Sequence, residues 1–440
     1  MTTARSIGVG LISVGWMGKL HSRAYTNLPI VYPELGIRPR LVQAADTAED
    51  RIDYARDVLG YASGTTDYRE VLANPEVDVV SICAPNFLHA EIGKAAAQAG
   101  KAFWIEKPAG RSAQETQEIA DAAAAAGVIS AVGFNYRNAP AIEYARSLVA
   151  GGKLGRITNI RGAFFADYSS EPKGALSWRF IRDLAGSGVL GDLMGHLADL
   201  AHYVVGPVAR VSAVTSTVYT ERPKLPMGQG THFAVVEDGE MLPVENEDYA
   251  ALLVAFGGDA AGAVGTLEAS RVSVGPRAQY SLEVYGTEGS LLWDFERMNE
   301  LQLALGRSGP HVGYTRIMAG PDFGDFGRFQ PGAGTSMGYD DLKVIEARKF
   351  LQAYLGEDSA HADIRDALAA NRVVSAAETS AASGTWEEVA PVEGTTAARR
   401  AAGGAAETTE RHDDASDAGA GGAADHGAGP AREAGGTADA

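Results

Sequence analysis

The feature that most constrains this chain is an alternation of short apolar runs with helical stretches across its first 132 residues. Ile7-Gly8-Val9-Gly10-Leu11-Ile12 has the length of a strand and leads straight into Ser13-Val14-Gly15-Trp16-Met17-Gly18 and a helix from about Lys19. Arg40 to Ala45, Val77 to Cys83, Lys101 to Ile105 and Gly127 to Val132 repeat the strand signal, with helical stretches between them. Strands separated by helices pair in parallel through right-handed crossovers. Ligands of such sheets bind beyond the carboxyl ends of the strands. Ser13, Asp46, Pro85 and Lys107 all fall at those ends.

Strand, tight turn and helix together give a glycine-rich loop its meaning. Gly15 lets the backbone approach a pyrophosphate, Gly18 lets the helix pack tightly on the strand, and amides at the helix start face the phosphates. Ser13 stands where the usual G-x-G-x-x-G has its first glycine, and a tight turn without a ligand is the alternative. Asp46, at the tip of the second strand, suits the two hydroxyls of an adenosine ribose and repels a 2′-phosphate, which points to NAD in preference to NADP. A capping or turn aspartate is the other reading of that residue. The insert Leu28 to Pro39 lengthens the spacing between Gly15 and Asp46.

After Tyr136-Arg137 the pattern changes. A helix near Ala139 to Ala150 precedes strand signals at Ile157 to Asp167, Val211 to Tyr219, Tyr249 to Phe256, Gly262 to Arg271, Gln279 to Tyr285 and Ser290 to Phe295. Strands without helices between them imply a mainly antiparallel sheet, with helices on one face and an open face suited to oligomer packing. One helix, about Gly188 to Val205, interrupts them. Residues 306 to 338 are rich in Gly and Pro and read as a long functional or mobile loop. Helices near Asp340 to Tyr354 and Asp363 to Ala382 follow.

From Gly394 to Ala440 there is no Val, Ile, Leu, Met or aromatic residue, so this tail cannot bury a core and is expected to be disordered. The expected organisation is α/β throughout: a parallel nucleotide-binding domain at 1–132, a second α/β domain with a large antiparallel sheet at 133–393, and the tail at 394–440. The tail carries 8 Asp and Glu against 4 Arg, so −14 of the net charge of −18 belongs to the rest of the chain. That acidity argues against a nucleic-acid or anionic-membrane partner. The lone cysteine, Cys83, excludes an internal disulfide and a Cys-rich metal site. No apolar run approaches a membrane span and the N-terminus has no signal-like core, so a cytoplasmic protein is expected.

Asp192 and His196 are four residues apart within the helix that follows Gly186-Ser187-Gly188. On an α-helix that spacing puts both on one face within mutual reach, and an imidazole backed by a carboxylate is suited to general-base work. Asp199 and His202 continue toward the same side, so a structural polar stripe is the alternative. His89-Ala90-Glu91 has the form of a zinc-deaminase H-x-E, but that chemistry needs two more cysteines. No motif requires a metal.

Taken together, Val9-Gly10-Leu11-Ile12 with Gly15-Trp16-Met17-Gly18, Ala84-Pro85-Asn86-Phe87-Leu88-His89, Glu106-Lys107-Pro108, Gly133-Phe134-Asn135-Tyr136-Arg137 and the Asp192, His196, Asp199 helix resemble the Gfo/Idh/MocA oxidoreductase family over about residues 5 to 392. Leu176 to Phe180, Ala185 to Asp192 and Glu221-Arg222-Pro223 are similar to its levoglucosan dehydrogenase-like and glycoside 3-dehydrogenase branch. The resemblance implies a Rossmann domain, NAD as cofactor, and oxidation of a secondary hydroxyl of a sugar, anhydrosugar, glycoside or inositol by a homodimer or homotetramer. It implies Lys107, Asp192 and His196 as catalytic residues. Ser13, Gly15, Trp16, Met17, Asp46, Ala84, Pro85, Asn86, His89, Glu106 and Lys107 become candidates for the cofactor. Tyr136, Arg137, Trp178, Arg179, Asp192 and His196 become candidates for the sugar, with interdomain packing as the alternative for Tyr136, Arg137 and Trp178. A cis peptide before Pro108 is also implied. Some members of the family oxidise only transiently in hydrolysis or elimination, and a few are non-catalytic sugar sensors.

Overall fold

A computed structural model describes residues 5–225, 234–308 and 312–396. Its first part runs β1 (Arg5–Ile12), α1 (Trp16–Val31), β2 (Ile37–Ala45), α2 (Glu49–Tyr54), β3 (Ser63–Thr65), α3 (Tyr68–Ala73), β4 (Val79–Ile82), α4 (Asn86–Gln98), β5 (Ala102–Ile105), α5 (Ala113–Ala126) and β6 (Ser130–Val132). The strands form one sheet in the order β3-β2-β1-β4-β5-β6, and every pair is parallel. The chain leaves β1 first to one side and later to the other, so the crevice beyond β1 and β4 is the switch point at which such Rossmann sheets bind. β4 and β5 are buried at every residue, as strands covered on both faces must be. β3, Ser-Gly-Thr, has no apolar run to announce it and exists through its pairing with β2.

The second part comprises α6 (Pro140–Ala150), β7 (Ile157–Ala166), α7 (Arg182–Ala185), α8 (Gly195–Val204), β8 (Val208–Ser216), β9 (Glu221–Pro223), β10 (Met241–Pro243), β11 (Tyr249–Phe256), β12 (Val264–Ser270), β13 (Ala278–Gly286), β14 (Gly289–Asp294), β15 (Glu300–Leu305), β16 (Thr315–Met318), α9 (Phe326–Phe329), α10 (Tyr339–Tyr354), α11 (Ile364–Ser383) and β17 (Glu387–Glu388). Nine strands form a sheet ordered β16-β15-β14-β13-β7-β12-β11-β8-β17. All its pairs are antiparallel except β7 with β12. Within the stretch expected as one long loop, Thr315–Met318 adds an edge strand on β15 and Phe326–Phe329 forms a helical turn. Four residues with a single clear alternation are too weak a signal to identify such an edge from sequence.

The alternation along β11 sends Ala250, Leu252, Val254 and Phe256 into the core and leaves Leu253 half exposed on the opposite face. Val214 on β8 and Val264 on β12 are exposed on the same open face. The last long helices then return to the first sheet. Val344, Ala347, Phe350 and Leu351 of α10 share one apolar cluster with Ile7, Ala24, Tyr25 and Leu28, and α11 packs on α5, α8 and β8. This return brings a lysine of α10, Lys343, beside Glu106 at the end of β5. The tail expected to be disordered lies, from residue 397 onward, outside the described residues.

Candidate active site

At the end of β1, Ser13 has φ +74, the left-handed conformation that glycine usually supplies at this point of the turn. Its amide donates to Ala45 O at 2.8 Å, and the Val14 amide donates to Asp46 Oδ2 at 2.8 Å. Asp46 Oδ1 accepts from the Ala48 amide at 3.1 Å. Asp46 thus fastens the turn to β2, and each of its oxygens keeps a lone pair for a ribose hydroxyl. Helix α1 begins after Gly15 with no acidic residue in its first turn, and among the described residues no side chain caps its leading amides. A Cβ at Gly18 would lie 2.2 Å from Ser13 O, so only glycine permits this packing, while a Cβ at Gly15 would meet nothing nearer than 3.9 Å. An open mouth, uncapped helix amides and a carboxylate at the tip of β2 fit a dinucleotide. Trp16 is 67% exposed at this mouth and stacks on Tyr339 at 5.8 Å, with Met17 half-buried beside it.

Other residues expected at the cofactor also make contacts within the protein. Ala84 and Pro85 lead into α4, and the Asn86 amide donates across to Ala185 O at 3.3 Å. His89 is buried with Nδ1 2.7 Å from Pro108 O and Nε2 2.6 Å from Ala84 O. Both ring nitrogens stand against carbonyls, burial lowers the ring's pKa, and the neutral imidazole donates its one N–H to one of the two site loops. Glu106 is also buried. Its Oε1 accepts from His21 Nε2 at 2.9 Å and Lys343 Nζ at 2.6 Å, and its carboxylate fills the space that a Cβ at Gly133 would take. Both side chains brace the site: His89 stands between Ala84 and Pro108, and Glu106 ties the end of β5 to α1 and α10.

Lys107 follows Glu106, and its peptide bond to Pro108 is cis. Lys107 Nζ donates to Asp192 Oδ1 at 2.7 Å and to Asp192 O at 2.9 Å. Tyr168 Oη donates to Asp192 Oδ2 at 2.5 Å, and Arg179 Nη1 stands 3.9 Å from Oδ1. Burial alone would raise the Asp192 carboxyl, but the Lys107 and Arg179 cations and the hydrogen bonds from Lys107 and Tyr168 hold it well below the usual carboxylate range. It is an anion at every working pH.

The helix around Asp192 is not uniformly α. Leu190–Met194 is a π segment, and α8 starts only at Gly195. A π turn closes i to i+5, so residues four apart no longer stack on one face. Asp192 accordingly turns to Lys107 and Tyr168, and among the described residues no hydrogen bond joins it to His196. The expected backing of His196 by Asp192 is thus replaced by an aromatic enclosure. Tyr136 meets the imidazole edge-on at 4.9 Å, and Phe134, Phe164 and Tyr280 surround it at 5.8, 6.0 and 6.2 Å. Tyr280 Oη donates to His196 O at 2.6 Å and holds its backbone. Burial first, then the Lys107 cation, drives the His196 pKa well below 6.5. The ring is a neutral base, and among the described residues neither of its nitrogens is hydrogen-bonded.

Arg137 is buried, with Nε donating to Asp199 Oδ2 at 2.8 Å and Nη2 reaching Asp199 Oδ1 and, at 3.3 Å, Asp366. It locks α8 to α11. Trp178 meets Phe87 of α4 edge-on at 6.2 Å, and Arg179 lies over the indole at 4.5 Å, near Asp192. The segment carrying them is held by Phe180, whose ring lies between the guanidiniums of Arg222 and Arg271 at 4.5 and 4.6 Å.

Two family models match this chain. One, an oxidoreductase family with an NAD-binding Rossmann fold, matches residues 7–134, and a GFO/IDH/MocA C-terminal domain matches residues 142–292. Levoglucosan dehydrogenase of Pseudarthrobacter phenanthrenivorans is 36% identical over 389 residues, which are 88% of this chain and 98% of that protein. The chain belongs to the Gfo/Idh/MocA family. This family member is also similar to the solved structure of a levoglucosan dehydrogenase in complex with NADH, with a TM-score of 0.82 and 34% identity over 88% of this chain and all of that one. The scyllo-inositol 2-dehydrogenase (NAD(+)) of Bacillus subtilis is 28% identical over 64% of this chain and 72% of its own length. This Gfo/Idh/MocA protein is therefore an oxidoreductase of CH–OH groups that uses NAD.

Several residues of this Gfo/Idh/MocA site escape a motif reading. Tyr168 stands just beyond the end of β7, a position the strand signal marks, but nothing local says that its hydroxyl reaches Asp192. Arg271 ends the strand signal of β12, and its Nε donates to Asp248 Oδ1 at 2.8 Å. A buried arginine, and the Lys343 to Glu106 pair 237 residues apart, have no signature in a single sequence.

Proposed function

We propose that this enzyme oxidises a secondary hydroxyl of a sugar, anhydrosugar, glycoside or inositol, with C3 of a pyranose as the favoured position. In this reading residues 1–132 hold NAD and residues 133–393 hold the substrate. The observation that carries it is the Lys107 to Asp192 ion pair at the carboxyl end of the parallel sheet, with the Lys107 cation among the causes that lower the pKa of the enclosed His196. NAD bound along the Ser13 to Gly18 turn supplies the hydride acceptor. Lys107 polarises the hydroxyl and stabilises the negative charge that grows on its oxygen, and His196 takes the proton. Asp192 holds the Lys107 ammonium in place. Trp178 offers an apolar face to a sugar ring, and Arg179 donates to ring hydroxyls. The printed names of the relatives, levoglucosan dehydrogenase and scyllo-inositol 2-dehydrogenase, support a polyhydroxylated ring as substrate.

The open sheet face bearing Val214, Leu253 and Val264 supports assembly into a homodimer or homotetramer. No helix among the described residues is long and apolar enough to cross a membrane, and the need for NAD supports work in the cytoplasm. The test is to mix purified protein with NAD and a panel of levoglucosan, glucose, methyl glucosides and scyllo-inositol. Growth of reduced-nicotinamide absorbance on at least one of them is expected. No growth on any sugar overturns the reading, and product release without net reduction selects transient oxidation instead.

A further inference from the structure

Asp192 faces two cations, and only geometry decides which of them it serves. Lys107 Nζ is hydrogen-bonded to Oδ1 at 2.7 Å, while Arg179 Nη1 waits 3.9 Å from the same oxygen. The terminal torsion of an aspartate is soft, with no staggered well to hold the carboxylate plane. The π segment sets where the Asp192 backbone lies but leaves that torsion free. The remaining oxygen, Oδ2, is held by Tyr168 Oη at 2.5 Å. Tyr168 comes from the segment after β7, separate in the chain from both the Lys107 turn and the Asp192 helix. Burial, then Asp192, raises the phenol well above its usual pKa, so the hydroxyl stays a donor throughout the working range.

We propose that Tyr168 is a positioning residue of the reaction: by pinning Asp192 Oδ2 it keeps Oδ1 on Lys107 and stops the carboxylate from swinging to Arg179. This deepens the proposed function and rests on it for its catalytic consequence. Without the hydroxyl, Asp192 divides between the two cations, and Lys107 loses the anchor that aims it at the substrate oxygen.

The test is Tyr168→Phe, read in two ways. The first needs no turnover: the rate at which Lys107 is reductively methylated by formaldehyde and cyanoborohydride, mapped by mass spectrometry. Y168F is expected to label Lys107 about five- to tenfold faster than wild type, approaching the rate in Asp192→Asn. Adding Arg179→Met to Y168F removes the rival cation and is expected to slow labelling again. The second reading is turnover on the sugar that wild type oxidises. Y168F is expected to lower kcat about tenfold with NAD binding unchanged. In the D192N background Y168F should cost nothing further. Unchanged labelling in Y168F, or the same loss of kcat with and without Asp192, overturns the proposal. Should Y168F not fold, Tyr168→His, which keeps a donor, is expected to label between wild type and D192N, and labelling as fast as D192N counts against it. If wild type oxidises no sugar, the functional reading fails while the labelling still decides the role of Tyr168.

Discussion

In the proposed reaction Lys107 and His196 carry opposite electrostatic assignments. Lys107 sits against an anion that cannot be discharged, whereas His196 is enclosed by rings and repelled by the lysine charge. The imidazole must be neutral to accept a proton, and its depressed pKa keeps it so at pH 6.5 and above. The limb of kcat/KM that reports His196 is therefore expected below pH 6.5, with His196→Ala losing roughly 10²- to 10⁴-fold in kcat. A profile falling with its midpoint above pH 6.5 and removed by H196A counts against this assignment. Gly133 offers a second residue-scale prediction. A Cβ there would stand 2.5 Å from the Glu106 carboxylate, which His21 and Lys343 prevent from retreating. Gly133→Ala is expected to cost about 1–3 kcal/mol and to impair turnover, because the displaced Glu106 precedes Lys107. A melting temperature equal to wild type would show that the carboxylate relocates without penalty.

At the scale of elements, the strand ends were readable and the reach of individual side chains was not. The apolar runs placed Ser13, Asp46, Pro85 and Lys107 at one edge of a parallel sheet because period and length suffice for that. They could not show that His89 and Glu106 turn inward, since facing depends on partners such as Pro108 O and Lys343 that lie far along the chain. The i, i+4 reading of Asp192 and His196 failed for a local reason: it assumed an α turn where the chain makes a π turn. The segment bearing Trp178 and Arg179 was legible only as a motif, and its fixing by the Phe180 sandwich was not. Arg271 is the key to that sandwich, since it also donates to Asp248 and lies 3.5 Å from Arg179 O. Arg271→Met leaves Asp248 buried with its cation removed and is expected to cost about 3 kcal/mol. It should also raise KM for the sugar several-fold while leaving KM for NAD near wild type. Equal changes in both constants would show that the clamp does not act on the sugar side alone.

Across the whole molecule, the two sheets are joined by charge as well as by apolar packing, because α10 carries Lys343 and Glu346 back to Glu106 and His21. One lysine here serves two buried carboxylates. Glu106 wins it: the Lys343 cation and the His21 hydrogen bond outweigh burial and drive its pKa far down, while burial holds His21 neutral, with a pKa of about 4. Glu346 is left with the unfavourable share. Burial, opposed by Lys343 and reinforced by the Glu106 charge, raises it to about 7, and its Oε1 has no hydrogen-bond partner among the described residues. A carboxyl whose folded pKa exceeds its unfolded one adds stability in full below the unfolded value near 4.5, and that stability is lost as pH rises through about 7. Glu346→Gln keeps an oxygen for Lys343 and cannot ionise. Relative to wild type it is expected to be nearly neutral at pH 5 and to gain on the order of 2 kcal/mol at pH 8. Urea denaturation at the two pH values measures this difference directly. A gain that is the same at both would place the titrating group elsewhere, and a loss at pH 8 would mean that the Glu346 anion is needed to hold Lys343 between the two sheets.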